Sequence, residues 1–515
     1  MKQKNDYDAI IIGAGIGGLT CGAILAKNNK KVLILEKNSK VGGAVSTFYR
    51  KGYPLDISHA MCGLNKGAFI RKVFDYLELT KDIDFVKLEK SFIFKNDMQE
   101  FICPADLEQY KYALQSKFPK EKININKLFD EMIHIWTKQI LKSYYEPNMC
   151  ELLTYPFKFS KLVKYRYLTF EKFLNRFTKS TELKEMLSIG WPYLGLDRFS
   201  VSALYMICLI MGYYKEGTYF IKGGFGKLIE SLVTFIKKND GKIIIDSEVE
   251  EIIKKGKVAV GVKCKDGRSF YGKIIISNVD TVKTFNDLSK NFNLSNGFRR
   301  KIKNLRQSTS ALQVFLAVKA QIDPTFLSVG SIIIEQKLKS KNFPSQDIKG
   351  IDLSSGELIY TLSIHSLKDF TDFKNEDIFM LNVVLLPTDV NFWNSFDKQH
   401  KVEQYCKVKQ DWIKLVTKEM KSCFKIEEVL FEDILTPISF KSWLNSTDGC
   451  IYDLAAYSKQ MLLDRMKIKT PVKNLFLVGA KTFPGMGIAG AFCSAVSLSD
   501  KILDKKLTNG KFVIN

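Results

Sequence analysis

A chain of 515 residues with 46% hydrophobic and 12% aromatic side chains has enough apolar material for two or three folded domains, which excludes a disordered chain. The net charge of +23 would suit nucleic acid, but lysine greatly outnumbers arginine and is spread along the chain. Base reading and bidentate phosphate recognition favour arginine in clusters, so nucleic acid is set aside and a solvated surface or anionic lipid headgroups fit better.

Ten cysteines stand singly, with no Cys-x-x-Cys pair, so zinc and dithiol chemistry lack their spacing. Unpatterned thiols in a chain of this size point to a reducing, cytoplasmic setting. The four histidines (His59, His134, His365, His400) are unrelated in spacing, and no metal site is read.

Residues 9–26 carry no charge and follow Lys2 and Lys4, a pattern shared by signal peptides and membrane anchors. Glycines at 13, 15, 17, 18 and 22 interrupt the stretch at phosphate-loop spacing, so a strand, loop and helix explain it better and no targeting peptide is read. Tyr7-Asp8-Ala9-Ile10-Ile11-Ile12 fits a buried parallel strand. Gly13-Ala14-Gly15-Ile16-Gly17-Gly18 then supplies G-x-G-x-x-G. Its first glycine permits a tight turn, the second admits a pyrophosphate against bare backbone, and the third lets the helix pack on the strand. A helix over 16–27 aims its N-terminal amides at those phosphates. A second strand, Lys31-Val32-Leu33-Ile34-Leu35, ends at Glu36, whose carboxylate suits ribose hydroxyls and would repel a 2′-phosphate. Val41-Gly42-Gly43-Ala44 adds a second bare turn close to the first.

The run from Gly13 to Ala44 resembles the N-terminal motif of the amine oxidase and phytoene desaturase superfamily of flavoproteins. That resemblance implies FAD, held by Gly13, Ala14, Gly15, Ile16, Gly17, Gly18, Glu36, Gly42, Gly43 and Ala44. In the superfamily a cation usually follows the second Gly-Gly. Ala44 stands there, which leaves Lys37 or Lys40 as substitutes. Further along, 219–226 leads into an amphipathic helix over 227–238, a strand over 242–245, and Ser247-Glu248-Val249 before a hairpin at Lys255-Gly256. In the family this unit returns the chain to the FAD domain, and the position of Val249 meets the adenine end. Near the C-terminus Asn474-Leu475-Phe476-Leu477-Val478-Gly479-Ala480 reads as a buried strand entering a glycine turn. Thr482-Phe483-Pro484-Gly485-Met486-Gly487-Ile488-Ala489-Gly490 then opens a helix to about Leu503. This resembles the flavin motif of phytoene desaturases, carotenoid isomerases and retinol saturases. It adds Gly479, Met486, Gly487 and Ile488 to the cofactor site, with helix amides near the flavin ring.

Between these motifs, residues 199–214 form sixteen positions without charge, too few for the roughly twenty of a membrane span, and are read as a buried helix lining a lipid-sized cavity in preference to a monotopic membrane element. Residues 155–177 interleave aromatics with Lys and Arg, which suits either a peripheral membrane interface or an amphipathic helix packed on its own domain. Both belong to a helical lid. Strands are expected over 311–318 and 378–386, the latter stopped by Pro387.

The fold class expected is α/β, a Rossmann-type FAD domain with a β-sheet substrate domain and a helical lid. The FAD domain takes 1–88, 215–290 and 471–515, the substrate domain 89–125 and 291–470, and the lid 126–214. The resemblance implies an oxidoreductase acting on C–C or C=C bonds of a long apolar polyene or isoprenoid lipid, such as a carotenoid or retinoid. Two other readings stay open: an amine oxidase or protoporphyrinogen-oxidase-like flavoenzyme, and a flavin-free prenyl-lipid escort of the GDP-dissociation-inhibitor type. His59 and Tyr452 are the catalytic candidates. His59 follows Leu55-Asp56-Ile57-Ser58, which resembles a family D-x-G segment near the flavin with Ser58 in place of Gly. Tyr452 ends Asp448-Gly449-Cys450-Ile451-Tyr452, similar to the carotenoid isomerase branch, where Gly commonly follows and Asp453 stands here. No segment near the flavin motifs offers an aromatic cage for an amine.

Overall fold

A computed structural model describes residues 6–504, apart from 59, 144–148, 197, 338–348, 353–356, 371–376, 387, 400 and 486. Strand β1 (Tyr7–Ile12) is apolar because both of its faces are covered, and Ile10 and Ile11 are fully buried. It lies between β2 (Val32–Leu35) and the strand Ser269–Ser277, parallel to both. Lys242–Ile244 joins outside β2, and Leu475–Leu477 pairs in parallel with the end of Ser269–Ser277. An antiparallel hairpin, Val249–Lys255 with Val258–Cys264, extends the sheet on the other side. One sheet thus gathers strands from 7–35, 242–277 and 475–477.

Helix α1 (Ile16–Lys27) is buried at every position from Ile16 to Ala26, lying against the helices Gly226–Lys238 and Gly487–Leu503. A helix apolar on all sides is a core helix or a membrane span, and twelve residues reach only about 18 Å against a hydrocarbon layer of about 30 Å. Burial in the core therefore accounts for the uncharged N-terminal stretch. Among the described residues no helix is long and apolar enough to cross a membrane.

The second sheet has seven strands, ordered 425–435, 312–321, 378–386, 357–366, 329–337, 90–96 and 100–104. Alternation splits its strand Leu312–Gln321 cleanly. Leu312, Val314, Leu316 and Val318 pack with Trp412, Ile413, Val416 and Met420 of the helix Val402–Cys423. The other face carries Gln313, whose amide donates to the Ile57 carbonyl and to Asn382 Oδ1, each at 3.0 Å. Asn382 in turn donates to the Asp56 carbonyl at 2.9 Å. This polar ladder fixes the chain around Ile57 against the second sheet.

The helical region differs from expectation in three ways. It begins before residue 126, because Leu107–Lys117 and Lys122–His134 pack Tyr110, Leu114, Ile125, Leu128, Phe129 and Met132 into the same core as the later helices. Residues 155–177 do not form one helix but fall into Met149–Lys158, Ser160–Tyr165 and Phe170–Leu174. The chain leaves helical geometry at Phe159, and Thr169 caps the third helix by accepting from Lys172 N. Residues 199–214 yield a helix only from Ala203 to Ile210, followed by a wider turn over Met211–Lys215, and Phe199 is exposed.

Candidate functional site

The first sheet ends in a cradle of bare backbone. Gly13 turns the chain at φ +93°, a conformation that side chains rarely adopt. Gly15 caps α1 in extended geometry, with no side-chain cap and no acidic residue in the first turn, so the helix start presents amides and dipole to an anion. A Cβ on Gly17 would lie 2.7 Å from Gly479 Cα, so the C-terminal strand turn presses directly on the loop. The second glycine turn is joined to the first: Gly42 N donates to the Ala14 carbonyl at 2.8 Å, and Gly15 and Gly42 form a parallel bridge.

Glu36 is buried beside the loop. Its Oε2 accepts from Ala14 N at 2.8 Å and its Oε1 from Asn38 N at 3.0 Å, which fixes the carboxylate while each oxygen keeps acceptor capacity toward the cavity. Val249 begins the neighbouring hairpin, buried and lining the same end of the cavity. Ala44 lines the cavity too, without a charge. Of the two lysines considered as substitutes, only Lys37 reaches the cavity lining. Its Nζ donates to the Ser442 carbonyl, and burial holds its pKa below the usual lysine range. Lys40 Nζ instead lies 5.9 Å from the Tyr49 ring centre.

Three contributors were not visible in the sequence. Asn278, just after the strand Ser269–Ser277, lies against the loop so closely that a Cβ on Gly15 would be 2.8 Å from its side-chain amide. Trp443 Nε1 donates to the Gly43 carbonyl at 3.2 Å, docking the helix Pro437–Leu444 on the second turn. Lys481 follows Gly479 and Ala480 along the cavity wall. The position of Asn278 carried a readable signal, since ligands of open α/β sheets gather at the carboxyl ends of parallel strands.

A cavity of about 440 Å³ runs from this cradle past Gly487, Ile488 and Ala489 at the start of the C-terminal helix to an apolar inner end. Met486, assigned to the same turn, lies outside the described residues, as does His59. Ala60, Met61, Leu194, Leu209, Val384 and Phe440 wall the inner end. Four tyrosines, Tyr193, Tyr205, Tyr213 and Tyr452, also line it. They come from residues 193–213 and from residue 452, so no single segment displays them. Burial raises the pKa of all four, that of Tyr205 to about 12, and keeps them protonated. Tyr452 is held through its backbone N–H, 3.1 Å from Ser308 Oγ, and by Gly195 pressed against its ring. Asp56 does not line the cavity. It accepts from Thr47 Oγ1 and, at 3.0 Å, from Phe225 N, and burial pushes its pKa up to about 6.

A family model described as flavin containing amine oxidoreductase matches residues 16–503. The chain belongs to that family. All-trans-retinol 13,14-reductase of Homo sapiens is 24% identical over 539 residues, which cover 97% of this chain and 86% of that protein. Prolycopene isomerase 1, chloroplastic, of an Oncidium hybrid cultivar is 23% identical over 529 residues, covering 98% and 86%. An oxidoreductase from Methanosarcina mazei shares the fold, with a TM-score of 0.61 and 16% identity over 96% of this chain and all of that one.

The protein is thus an FAD-dependent oxidoreductase, and the flavin-free escort reading falls away. The cradle fits the cofactor on its own geometry. Bare glycine turns meet at a helix N-terminus, and a fixed carboxylate stands about twenty residues along the chain from the loop. Gly13 to Gly18, Gly42 and Gly43 would hold the pyrophosphate, Glu36 and Val249 the adenosine end, and the start of the helix Gly487–Leu503 the ring. When bound, FAD supplies a ring that accepts or gives a hydride. The chain supplies the orientation and the exclusion of water.

Proposed function

We propose that the protein acts on a C–C or C=C unit of a long apolar polyene or isoprenoid lipid, by desaturation, saturation or cis–trans isomerisation. The observation that carries this reading is the inner end of the cavity, continuous with the cofactor cradle and walled by apolar residues. Its tyrosines and cysteines stay uncharged: burial lifts Cys62 and Cys208 to about 12, as it does Tyr205. A polyene asks for little beyond burial, worth about 25 cal/mol per Å² of apolar surface. Relatives named for retinol and prolycopene support the same class of substrate.

The four tyrosines favour a second reading, an amine substrate whose cation rests on ring faces. Anaerobic mixing separates the two. Oxidised and reduced enzyme are each exposed to solubilised carotenoid precursors, retinol and a panel of primary amines, while the flavin band is followed and products are separated by chromatography. A redox change or an isomerised product with a polyene, and none with amines, is expected. Bleaching by an amine alone would transfer the assignment to the second reading.

An apolar substrate of this kind is stored in membranes, and the lid carries features for meeting one. Leu153 and Phe157 are four residues apart on one helix and 79% and 87% exposed. Val163 and Tyr167 are exposed nearby in sequence, interleaved with Lys158, Lys164 and Arg166, and Phe199 is exposed beside Arg198. Exposed rings beside basic groups suit peripheral contact with an anionic leaflet.

A further inference from the structure

We propose that Lys481 is the cation that neutralises the pyrophosphate of the cofactor, and that Asp453 holds its charge in balance until the cofactor binds. The inference rests on the FAD site and is independent of the substrate.

Lys481 is 4% exposed, and its Nζ donates to the Asn278 carbonyl at 2.7 Å. Asn278 is the residue whose side chain abuts the phosphate loop, 2.8 Å from a Cβ on Gly15 and 2.9 Å from one on Gly17. The lysine stem folds back over the adjoining turn, so that its Cε is 3.5 Å from a Cβ placed on Gly479. The ammonium therefore sits at the loop end of the cavity and not at its apolar end.

A buried ammonium has three protons to place and a charge to balance. One proton goes to Asn278. Asp453 Oδ2 is 3.7 Å away, an ion pair without a close hydrogen bond, and Asp453 Oδ1 is buried with no hydrogen-bond partner among the described residues. The other charged groups around Asp453 are already engaged. Asp280 accepts from Thr447 N, Thr447 Oγ1 and Lys283 N, at 3.1, 3.0 and 3.0 Å. Arg465 donates to the carbonyls of Ala480, Leu454 and Gln460. The Lys481–Asp453 pair is thus an ammonium and a carboxylate on the cavity wall whose bonding capacity is not filled among the described residues. Half-satisfied buried charges are costly unless a ligand completes them.

The cofactor would bring two negative charges to this place. Among the described residues lining the cavity, Lys37 and Lys481 are the cations. Lys37 rests on the Ser442 carbonyl of the helix Pro437–Leu444, whereas Lys481 rests on Asn278 against the phosphate loop, and the second glycine turn ends in uncharged Ala44. Lys481 is left as the group able to turn toward the phosphates, with Asp453 as the partner it exchanges for them.

The test is a fluorescence titration of flavin-stripped protein with FAD over a range of salt concentrations, with the midpoint potential of each reconstituted protein measured by dye equilibration. Lys481→Met is expected to raise the FAD dissociation constant about 10- to 100-fold, the range of a charge-assisted hydrogen bond, and to flatten its salt dependence. The midpoint potential should stay at the wild-type value. Lys481→Arg, which keeps the charge, and Lys37→Met should both bind FAD within about 3-fold of wild type, since an interaction of less than about 0.7 kcal/mol is then at stake. Should Lys481→Met fail to fold by circular dichroism, Asp453→Asn decides: removal of the competing carboxylate should tighten FAD. An unchanged constant in Lys481→Met, a shifted potential at constant affinity, loss of affinity in Lys37→Met instead, or weaker binding in Asp453→Asn would each overturn the proposal.

Discussion

The cofactor cradle and the apolar end of the same cavity are built by opposite means. The cradle is made of backbone: two glycine turns, a helix start and one carboxylate, most of it within residues 13–44. The apolar end is made of side chains from residues 60–62, 193–213, 384, 440 and 452, which meet only after both sheets and the helices of 107–214 have packed. A phosphate needs N–H groups that any sequence owns, provided side chains are absent, so its site tolerates almost no added atom. An apolar substrate needs volume and shape, which many residues can supply, so its site should tolerate change with graded effects.

The sharpest way to break this contrast is at Gly15. A Cβ there would already lie 2.8 Å from the Asn278 amide, and valine adds branches toward the loop. Gly15→Val should abolish flavin binding while far-ultraviolet circular dichroism keeps its wild-type form. Stoichiometric FAD in the purified variant would contradict the assignment of the loop.

Asp56 lies outside the cavity, binding the Gly224–Gly226 turn through Phe225 N while its own carbonyl meets the second sheet through Asn382. Its folded pKa of about 6 exceeds the ordinary 3.8, so between those values the native state binds more protons than the unfolded one. Stability from this group is therefore present at low pH and lost as pH rises from about 4 to 6, on the order of 3 kcal/mol. Asp56→Asn removes that dependence. Its melting-temperature deficit against wild type should be larger at pH 4.5 than at pH 7, and equal deficits would show that Asp56 titrates normally.

Glu36→Ala tests the carboxylate fixed beside the first glycine turn. Loss of charge-assisted bonds to ribose hydroxyls, about 1.5–3 kcal/mol, should weaken FAD about 10- to 100-fold in a fluorescence titration. An unchanged constant would remove Glu36 from the site.

In the apolar region, Gly195→Ala should act through Tyr452. The added Cβ would lie 2.7 Å from the Tyr452 ring and the residue sits at φ +62°, an overpacking cost of about 1–3 kcal/mol that is relieved by pushing the ring toward the cavity. Turnover of a polyene should fall several-fold at constant FAD affinity, as read by kcat/KM beside the titration. A parallel loss of FAD would mean that the two regions are not separable.

The smallest effect belongs to the lid. Protein should sediment with anionic liposomes at low salt and return to the supernatant as salt rises, since each lysine near such a surface contributes about 1 kcal/mol that screening removes. Phe157→Ser should lower the bound fraction. Equal recovery with neutral and anionic vesicles would remove the membrane from the account.

Sequence by itself determined the β1–α1–β2 unit, the second glycine turn, Glu36, the return of the chain near Val249 and the C-terminal strand and helix, because phosphate recognition is local. A strand, a tight turn and a helix start must follow one another within a few residues, and each leaves its own pattern of apolar runs and glycines. Only the tertiary structure decided what has no such pattern. The break of residues 155–177 at Phe159, the helix Lys122–His134 running across residue 126, and the joining of Tyr452 to tyrosines of the lid all depend on packing against distant elements. Asn278, Trp443 and the Lys481–Asp453 pair likewise come from separate stretches of chain. A lysine and an aspartate 28 positions apart carry no periodicity that could announce their contact. They meet because the strand Leu475–Leu477 pairs beside Ser269–Ser277, which brings Lys481 against Asn278 and within reach of Asp453.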